Sequence, residues 1–273
     1  MARARDRYRR LDRSQYRQAA EHLAHRVLDP FGLELRRTDR SVRQTLPAVL
    51  EHYRSLGLRP ATVIDVGVGH GTPQLHDGFP EAHLVLVEPL EEWRETMEAI
   101  ARSRPTEIVF AAAGPAPGTI DIAVHRAPVC SSVFGSRPGE PPATNRSVPV
   151  VTLDDVIAEH GLQGPFVLKI DVEGAELEVL AGAGGALGQT ELALLEVSLF
   201  ESMPGIPLFH DVVARMHELG FVVGEFYDAH NRPLDNSLAM LDVAFVKEHG
   251  PFRAEQRYAR PEQADELYRS WGF

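Results

Sequence analysis

The chain holds one cysteine, Cys130, in 273 residues. That excludes an internal disulfide and a cysteine zinc site, and a reducing compartment, the cytoplasm, is the expected location. Lysine is almost as scarce, with only Lys169 and Lys247; arginine carries nearly all the basic charge, a usage that fits a GC-rich bacterial coding sequence. Basic residues are outnumbered, 28 against 39 acidic, for a formal net charge of −11. Such a chain lacks the basic face that a phosphate backbone needs, so no nucleic acid is expected as partner and a small-molecule acceptor is. No apolar run is long enough to span a bilayer. The arginine-rich start, Met1 to Arg17, has no apolar segment behind it and does not read as a secretory signal. No repeat or low-complexity linker is present, and the composition leaves a homo-oligomer open.

What is there is ordinary for a globular protein: 44% hydrophobic and 25% charged residues, enough for one large α/β domain with an extension or for two small domains. Helical spacing predicts helices over Ser14–Val27 and Ser41–Leu56, the second ended by Gly57, as a lid ahead of the main domain. Short β-branched runs then alternate with helical stretches, the pattern of a parallel sheet covered by helices. The predicted strands are Thr62–Val66, His83–Glu88, Glu107–Ala111, Phe166–Asp171 and Leu192–Val197. Helices are expected at Pro89–Arg102, Leu153–His160, Ala175–Ala181 and Phe209–Leu219. Phe221–Tyr227 and Leu238–Val246 read as an antiparallel pair closing the sheet edge. Thr119–Val124 and Val148–Val151 read as strands joined by a Pro/Gly-rich loop, Pro138 to Asn145.

The first predicted strand runs into Asp65-Val66-Gly67-Val68-Gly69-His70-Gly71, and Thr72-Pro73 can cap and open a helix. Glycines at such a turn admit positive φ and let a ligand approach the backbone at the carboxyl edge of the sheet. A P-loop would need Gly-Lys-Ser/Thr, which is absent, and a dinucleotide fingerprint needs its third glycine one residue later than Gly71. A loop for S-adenosylmethionine fits, with Asp65 near the methionine part; a plain glycine-rich turn is the alternative. The second strand ends at Glu88-Pro89. An acid there can accept from both ribose hydroxyls of a nucleoside.

The third signal is Phe166-Val167-Leu168-Lys169-Ile170-Asp171-Val172-Glu173-Gly174-Ala175-Glu176. A buried strand delivers Asp171 and Glu173 to the same edge, Gly174 permits a tight turn, and Glu176 falls in the first turn of the next helix. Together with Ile64-Asp65-Val66-Gly67, Val87-Glu88-Pro89, Ala111-Ala112-Ala113, Ser131-Ser132-Val133, Val151-Thr152-Leu153-Asp154-Asp155, Leu195-Glu196-Val197, Arg232-Pro233 and Asp242-Val243-Ala244-Phe245-Val246, the chain resembles the FkbM-type methyltransferases from about Val63 to Val246. The glycine loop departs from the family pattern, which would place Ala-Asn-Val-Gly where Val68-Gly69-His70-Gly71 stands.

The resemblance implies a Rossmann-like class I methyltransferase fold: a mostly parallel seven-stranded sheet with an antiparallel closing strand. The S-adenosylmethionine domain would span 59–250; an N-terminal helical extension over 1–58, which lies outside the resemblance, would precede it, and a tail helix over 251–273 would follow. The implied cofactor wall is Asp65, Gly67, Gly69, His70, Gly71, Glu88, Pro89, Ala112, Ser131, Ser132 and Asp171. The implied reaction is O-methylation of a hydroxyl on a sugar, glycolipid or natural product, with Asp171, Glu173 and Glu196 as catalytic candidates. Asp171 or Glu173 would act as base or orient the acceptor, the other being held by Lys169 or backbone donors; shaping the pocket alone is the alternative. Mg²⁺ on Asp171 and Glu196 is weighed, though no residue set demands a metal. His230 is a candidate base in a loop; His76, His210 and His217 read as surface or helix residues. An N-methyltransferase, a nicotinamide enzyme and a non-catalytic nucleoside-binding protein stay open.

Overall fold

The computed structural model describes residues 27, 28, 30, 42–137, 139 and 143–270. The chain divides into two compact units, Met1–Val42 and Arg43–Phe273, and the helix expected over Ser14–Val27 lies outside the described residues apart from Val27.

The second unit begins with helix α1 (Leu46–Ser55), followed by β1 (Thr62–Val66), α2 (Pro73–Gly78), β2 (His83–Val87), α3 (Arg94–Ala101), β3 (Thr106–Val109), β4 (Ala112–Ala113), β5 (Gly118–Val124) and β6 (Thr144–Val151). Then come α4 (Leu153–His160), β7 (Phe166–Ile170), α5 (Glu176–Ala181), α6 (Gly184–Gln189), β8 (Thr190–Ser198), α7 (Phe209–Glu218), β9 (Phe221–Asn231), β10 (Leu238–Lys247) and α8 (Pro261–Ser270). The helix expected from Pro89 starts later, because Glu91–Trp93 forms a 3-10 turn before α3. Pro73 opens α2 as expected, but the Thr72 hydroxyl makes no capping hydrogen bond. Thr152 does cap α4, accepting from the Asp155 amide at 3.0 Å, and Gly161 closes that helix in the left-handed region.

Seven strands form one sheet in the order β3-β2-β1-β7-β8-β10-β9, and β4, β6 and β5 form a small second sheet. Only β10 runs against its neighbours in the large sheet, pairing antiparallel with both β8 and β9. The closing pair expected at the edge is therefore a hairpin whose second strand inserts beside β8. β1 and β7 are covered on both faces, so TVIDV and FVLKI are near-continuous apolar runs rather than alternating ones. The charges that interrupt them, Asp65 and Lys169, are paired in register.

Two buried clusters flank the sheet. One joins Ile64, Leu168, Leu195 and Val243 to the helices α4 to α7. The other joins Val63, Leu84, Leu194 and Ala244 to Leu46, Val49, Leu50 and Tyr53 of α1 and to Leu75 and Met97. Helix α1, expected within an N-terminal lid over 1–58, is thus part of the packed core. Its apolar stripe needs a covering surface, and the sheet face supplies it; Phe252 closes the far side edge-on to Tyr53, centroids 5.2 Å apart. The tail expected over 251–273 contains a 3-10 turn, Pro251–Arg253, before α8.

Register fixes which ionisable residues share a face. Asp65 pairs with Lys169, Lys169 with Leu194, and Leu194 with Ala244. Two residues along, Glu196 pairs with Asp242 and Asp242 with Tyr227. Side chains two apart on a strand point the same way, so all these groups lie on the α1 face, at or next to the carboxyl ends of the parallel strands.

Candidate active site

A cavity of about 850 Å³ opens at that carboxyl edge. The glycine loop forms its floor. Gly67, Gly69 and Gly71 have φ of +79°, +49° and +85°, the conformation the sequence motif requires. At Gly67 a Cβ would lie 1.7 Å from the Asp171 carbonyl oxygen, so the loop closes tightly on the end of β7. His70 stacks edge-on to Trp93, centroids 4.5 Å apart, and both line the cavity.

Asp65 does not line the cavity. It is 0% exposed and lies beneath the loop, 2.8 Å from His76 Nε2 and 3.5 Å from Lys169 Nζ. Burial alone would raise its pKa, but Lys169 and His76 outweigh burial and hold the carboxyl below its ordinary value. His76, expected as a surface or helix residue, lies in helix α2 and is buried at 3% exposure by this pairing. Lys169 bridges outward to Asp171 at 3.1 Å. Its own burial favours the neutral amine, yet Asp171, Asp65 and Asp242 prevail and keep it charged.

Glu88 lines the cavity at 5% exposure. Its two oxygens accept from the Gly69 amide at 3.2 Å and the Leu90 amide at 3.0 Å. Burial raises its pKa above the ordinary value, with those amides opposing. Pro89, Ala112, Ser131 and Ser132 also line the cavity. The serine hydroxyls hold backbone: Ser131 accepts from the His125 amide at 3.1 Å, and Ser132 donates to the Glu173 carbonyl at 2.7 Å.

The carboxylate cluster divides by partner. Glu173 sits in the left-handed region at φ +53°, a strained conformation of the kind found at sites, and accepts from Arg137 at 2.6 Å. Glu176 is withdrawn from the surface and accepts from the Gly174 amide at 3.0 Å; burial pushes its pKa up to about 7. Glu196 does not line the cavity, and burial together with Asp171, Glu173 and Asp242 raises its carboxyl well above the ordinary range. Asp171 and Asp242 both line the cavity. Burial and the Asp171 charge push Asp242 up to about 7, against the pull of Lys169.

Of the predicted residues, the structure brings all but Asp65 and Glu196 to the cavity wall. His230 is exposed on β9 and is not part of that wall. The sequence reading missed Trp93, Tyr227, Asp228 and Asp242, which the fold adds. For Asp242 a signal existed, a lone acid in the apolar run Leu241 to Val246. Among the described residues no group of three His, Cys, Asp or Glu is arranged to hold a metal ion, so Mg²⁺ on Asp171 and Glu196 gains no support. Among the described residues, too, no helix is long and apolar enough to cross a membrane.

A sheet of this order with one antiparallel strand, and a glycine loop facing carboxylates at its carboxyl edge, defines a Rossmann-like methyltransferase. The pattern of the methyltransferase FkbM domain matches residues 65–223. The chain belongs to the FkbM methyltransferase family. No curated protein sequence matches it. Among solved structures it is similar to a putative RNA methyltransferase from Pyrococcus horikoshii, at 14% identity and TM-score 0.40 over 73% of this chain and 82% of that one. It is also similar to magnesium protoporphyrin IX methyltransferase from Synechocystis PCC 6803, at 10% identity and TM-score 0.41 over 87% and 85%. A third is a 1,6-didemethyltoxoflavin-N1-methyltransferase from Burkholderia thailandensis, at 11% identity and TM-score 0.40 over 87% and 91%.

Proposed function

We propose that this cavity binds S-adenosylmethionine together with a small hydroxylated acceptor, a sugar, glycolipid or natural product, and that the protein is an O-methyltransferase. One observation carries the reading. The backbone cradle of Gly67 to Gly71, which a Cβ at Gly67 would fill, lies in one cavity with the buried carboxylate of Glu88 and the carboxylates Asp171 and Asp242. Glycine cradle and buried acid suit a nucleoside and its ribose hydroxyls. The donor, when bound, supplies a methyl group on a positively charged sulfur. The protein's part is to align the acceptor and to take its proton. A wall rich in carboxylates and holding one lysine favours a cationic donor and disfavours a phosphorylated or carboxylate-bearing acceptor. Asp65 acts from below, fixing Lys169, which in turn orients Asp171.

Calorimetry tests the donor half: S-adenosylmethionine and S-adenosylhomocysteine bind in the micromolar range, and NAD does not bind. Binding of NAD instead would overturn the reading. Transfer of labelled methyl to neutral polyols but not to their phosphates tests the acceptor half.

A further inference from the structure

Most carboxylates around the cavity already have a protein donor. Asp171 has Lys169 at 3.1 Å, Glu173 has Arg137 at 2.6 Å, Glu88 has two amides, and Asp228 accepts from the Leu46 amide at 3.2 Å. Glu178 leaves one buried oxygen without a hydrogen bond, but it stands on α5, packed against the opposite face of the sheet. Asp242 is the remaining carboxylate on the α1 face that reaches the cavity, and among the described residues no side-chain hydrogen bond or ion pair is made by its carboxylate. Its strand register sets it between Glu196 and Tyr227, beside the Lys169–Asp171 pair that the glycine loop closes on.

We propose that Asp242 is the proton acceptor of the methyl transfer. As the acceptor oxygen forms its bond to the methyl carbon, the carbon–sulfur bond breaks and its electron pair stays on sulfur. The hydroxyl proton passes to an Asp242 carboxylate oxygen. A carboxylate without a donor of its own has lone pairs for the acceptor hydroxyl, whereas one held by Arg or Lys is a weaker base. Lys169, held by Asp65 and Asp171, stays charged and keeps Asp242 ionisable near neutral pH despite burial. The groups that face Asp242 are Lys169 from β7, Asp171 just past its end, Glu196 from β8, and Tyr227 and Asp228 from β9. This inference rests on the donor reading above.

The test needs no knowledge of the acceptor. Sinefungin carries an ammonium-bearing carbon where S-adenosylmethionine carries its methyl sulfonium, and S-adenosylhomocysteine is uncharged there. In the wild-type protein the preference for sinefungin over S-adenosylhomocysteine should rise by about ten-fold between pH 6 and 8, as a nearby carboxylate ionises. Asp242→Asn should keep its affinity for S-adenosylhomocysteine within about two-fold and lose that rise, and Asp242→Glu should restore it. Persistence of the rise in Asp242→Asn would overturn the assignment. Loss of S-adenosylhomocysteine binding in both Asp242 variants, with folding intact by circular dichroism, would also overturn it by making Asp242 part of the donor wall. A wild-type protein that binds neither ligand sinks the donor reading itself, and this inference with it.

Discussion

At Gly67 two constraints coincide: a φ of +79° and an Asp171 carbonyl oxygen 1.7 Å from where a Cβ would sit. Gly67→Ala must push β1 and β7 apart at their ends. It should cost about 3 kcal/mol or more in chemical denaturation and reduce S-adenosylhomocysteine affinity by more than ten-fold in calorimetry. Asp65 behaves differently, since it touches His76 and Lys169 rather than the cavity. Asp65→Asn leaves a buried lysine short of one counter-charge. The expected loss is about 3 kcal/mol of stability, with at most a few-fold change in donor affinity. A variant of unchanged stability with affinity lost thirty-fold would place Asp65 against the ligand instead. At this scale the sequence was informative where chemistry is local. The glycines, Glu88 and the Lys169–Asp171 pair were legible because each follows from a motif on one strand end. The meeting of His76 with Asp65 was not legible, because nothing in a linear pattern shows it, and Asp242 stood out only as a lone acid in an apolar run, its place at the cavity depending on the register of three strands.

Helix α1 shows the same limit for an element. Its spacing of Leu46, Val49, Leu50 and Tyr53 announced a helix with one apolar face, but periodicity does not say what covers that face. All four side chains are buried in the cluster that includes Val63, Leu84, Leu194 and Ala244, and Gly224 of β9 leaves room for the Tyr53 hydroxyl, which a Cβ there would strike. The antiparallel β9–β10 pair was legible from two β-branched runs, whereas the insertion of β10 beside β8 was not, because a hairpin can close an edge in either order. A chain beginning at Arg43 should therefore unfold cooperatively with the melting temperature of the full protein, within about 3 °C. One beginning at Arg59 should lose the cooperative transition, because removing a helix with four buried apolar residues exceeds the usual margin of stability. Differential scanning calorimetry of the two truncations distinguishes a core helix from a detachable lid; a stable, cooperative short form would make it a lid.

For the whole molecule, the cluster that serves the site sets the dependence of stability on pH. Glu176 and Asp242 have carboxyls pushed up to about 7 in the folded protein, first by burial and then by neighbouring carboxylates. Between the unfolded value, near 4, and about 7, the folded state binds more protons than the unfolded chain. Stability therefore falls as pH rises through that window. Asp65 works the other way: its pKa is lowered on folding, so its contribution is present above the unfolded value and is lost on acidification. The two tendencies place maximal stability near pH 4, with a decline towards about pH 7. Glu176 touches the Gly174 amide and does not reach the cavity, so its share can be removed without touching the donor wall. Glu176→Gln keeps the hydrogen bond to Gly174 and has no charge to bury. It should flatten the decline between pH 5 and 8 by roughly 3 kcal/mol in urea titrations across that range, and leave it equally stable or less stable than wild type at pH 5. A Glu176→Gln protein with the wild-type slope would mean that the buried carboxyl does not carry the cost, and that relaxation around the site solvates the charge at high pH.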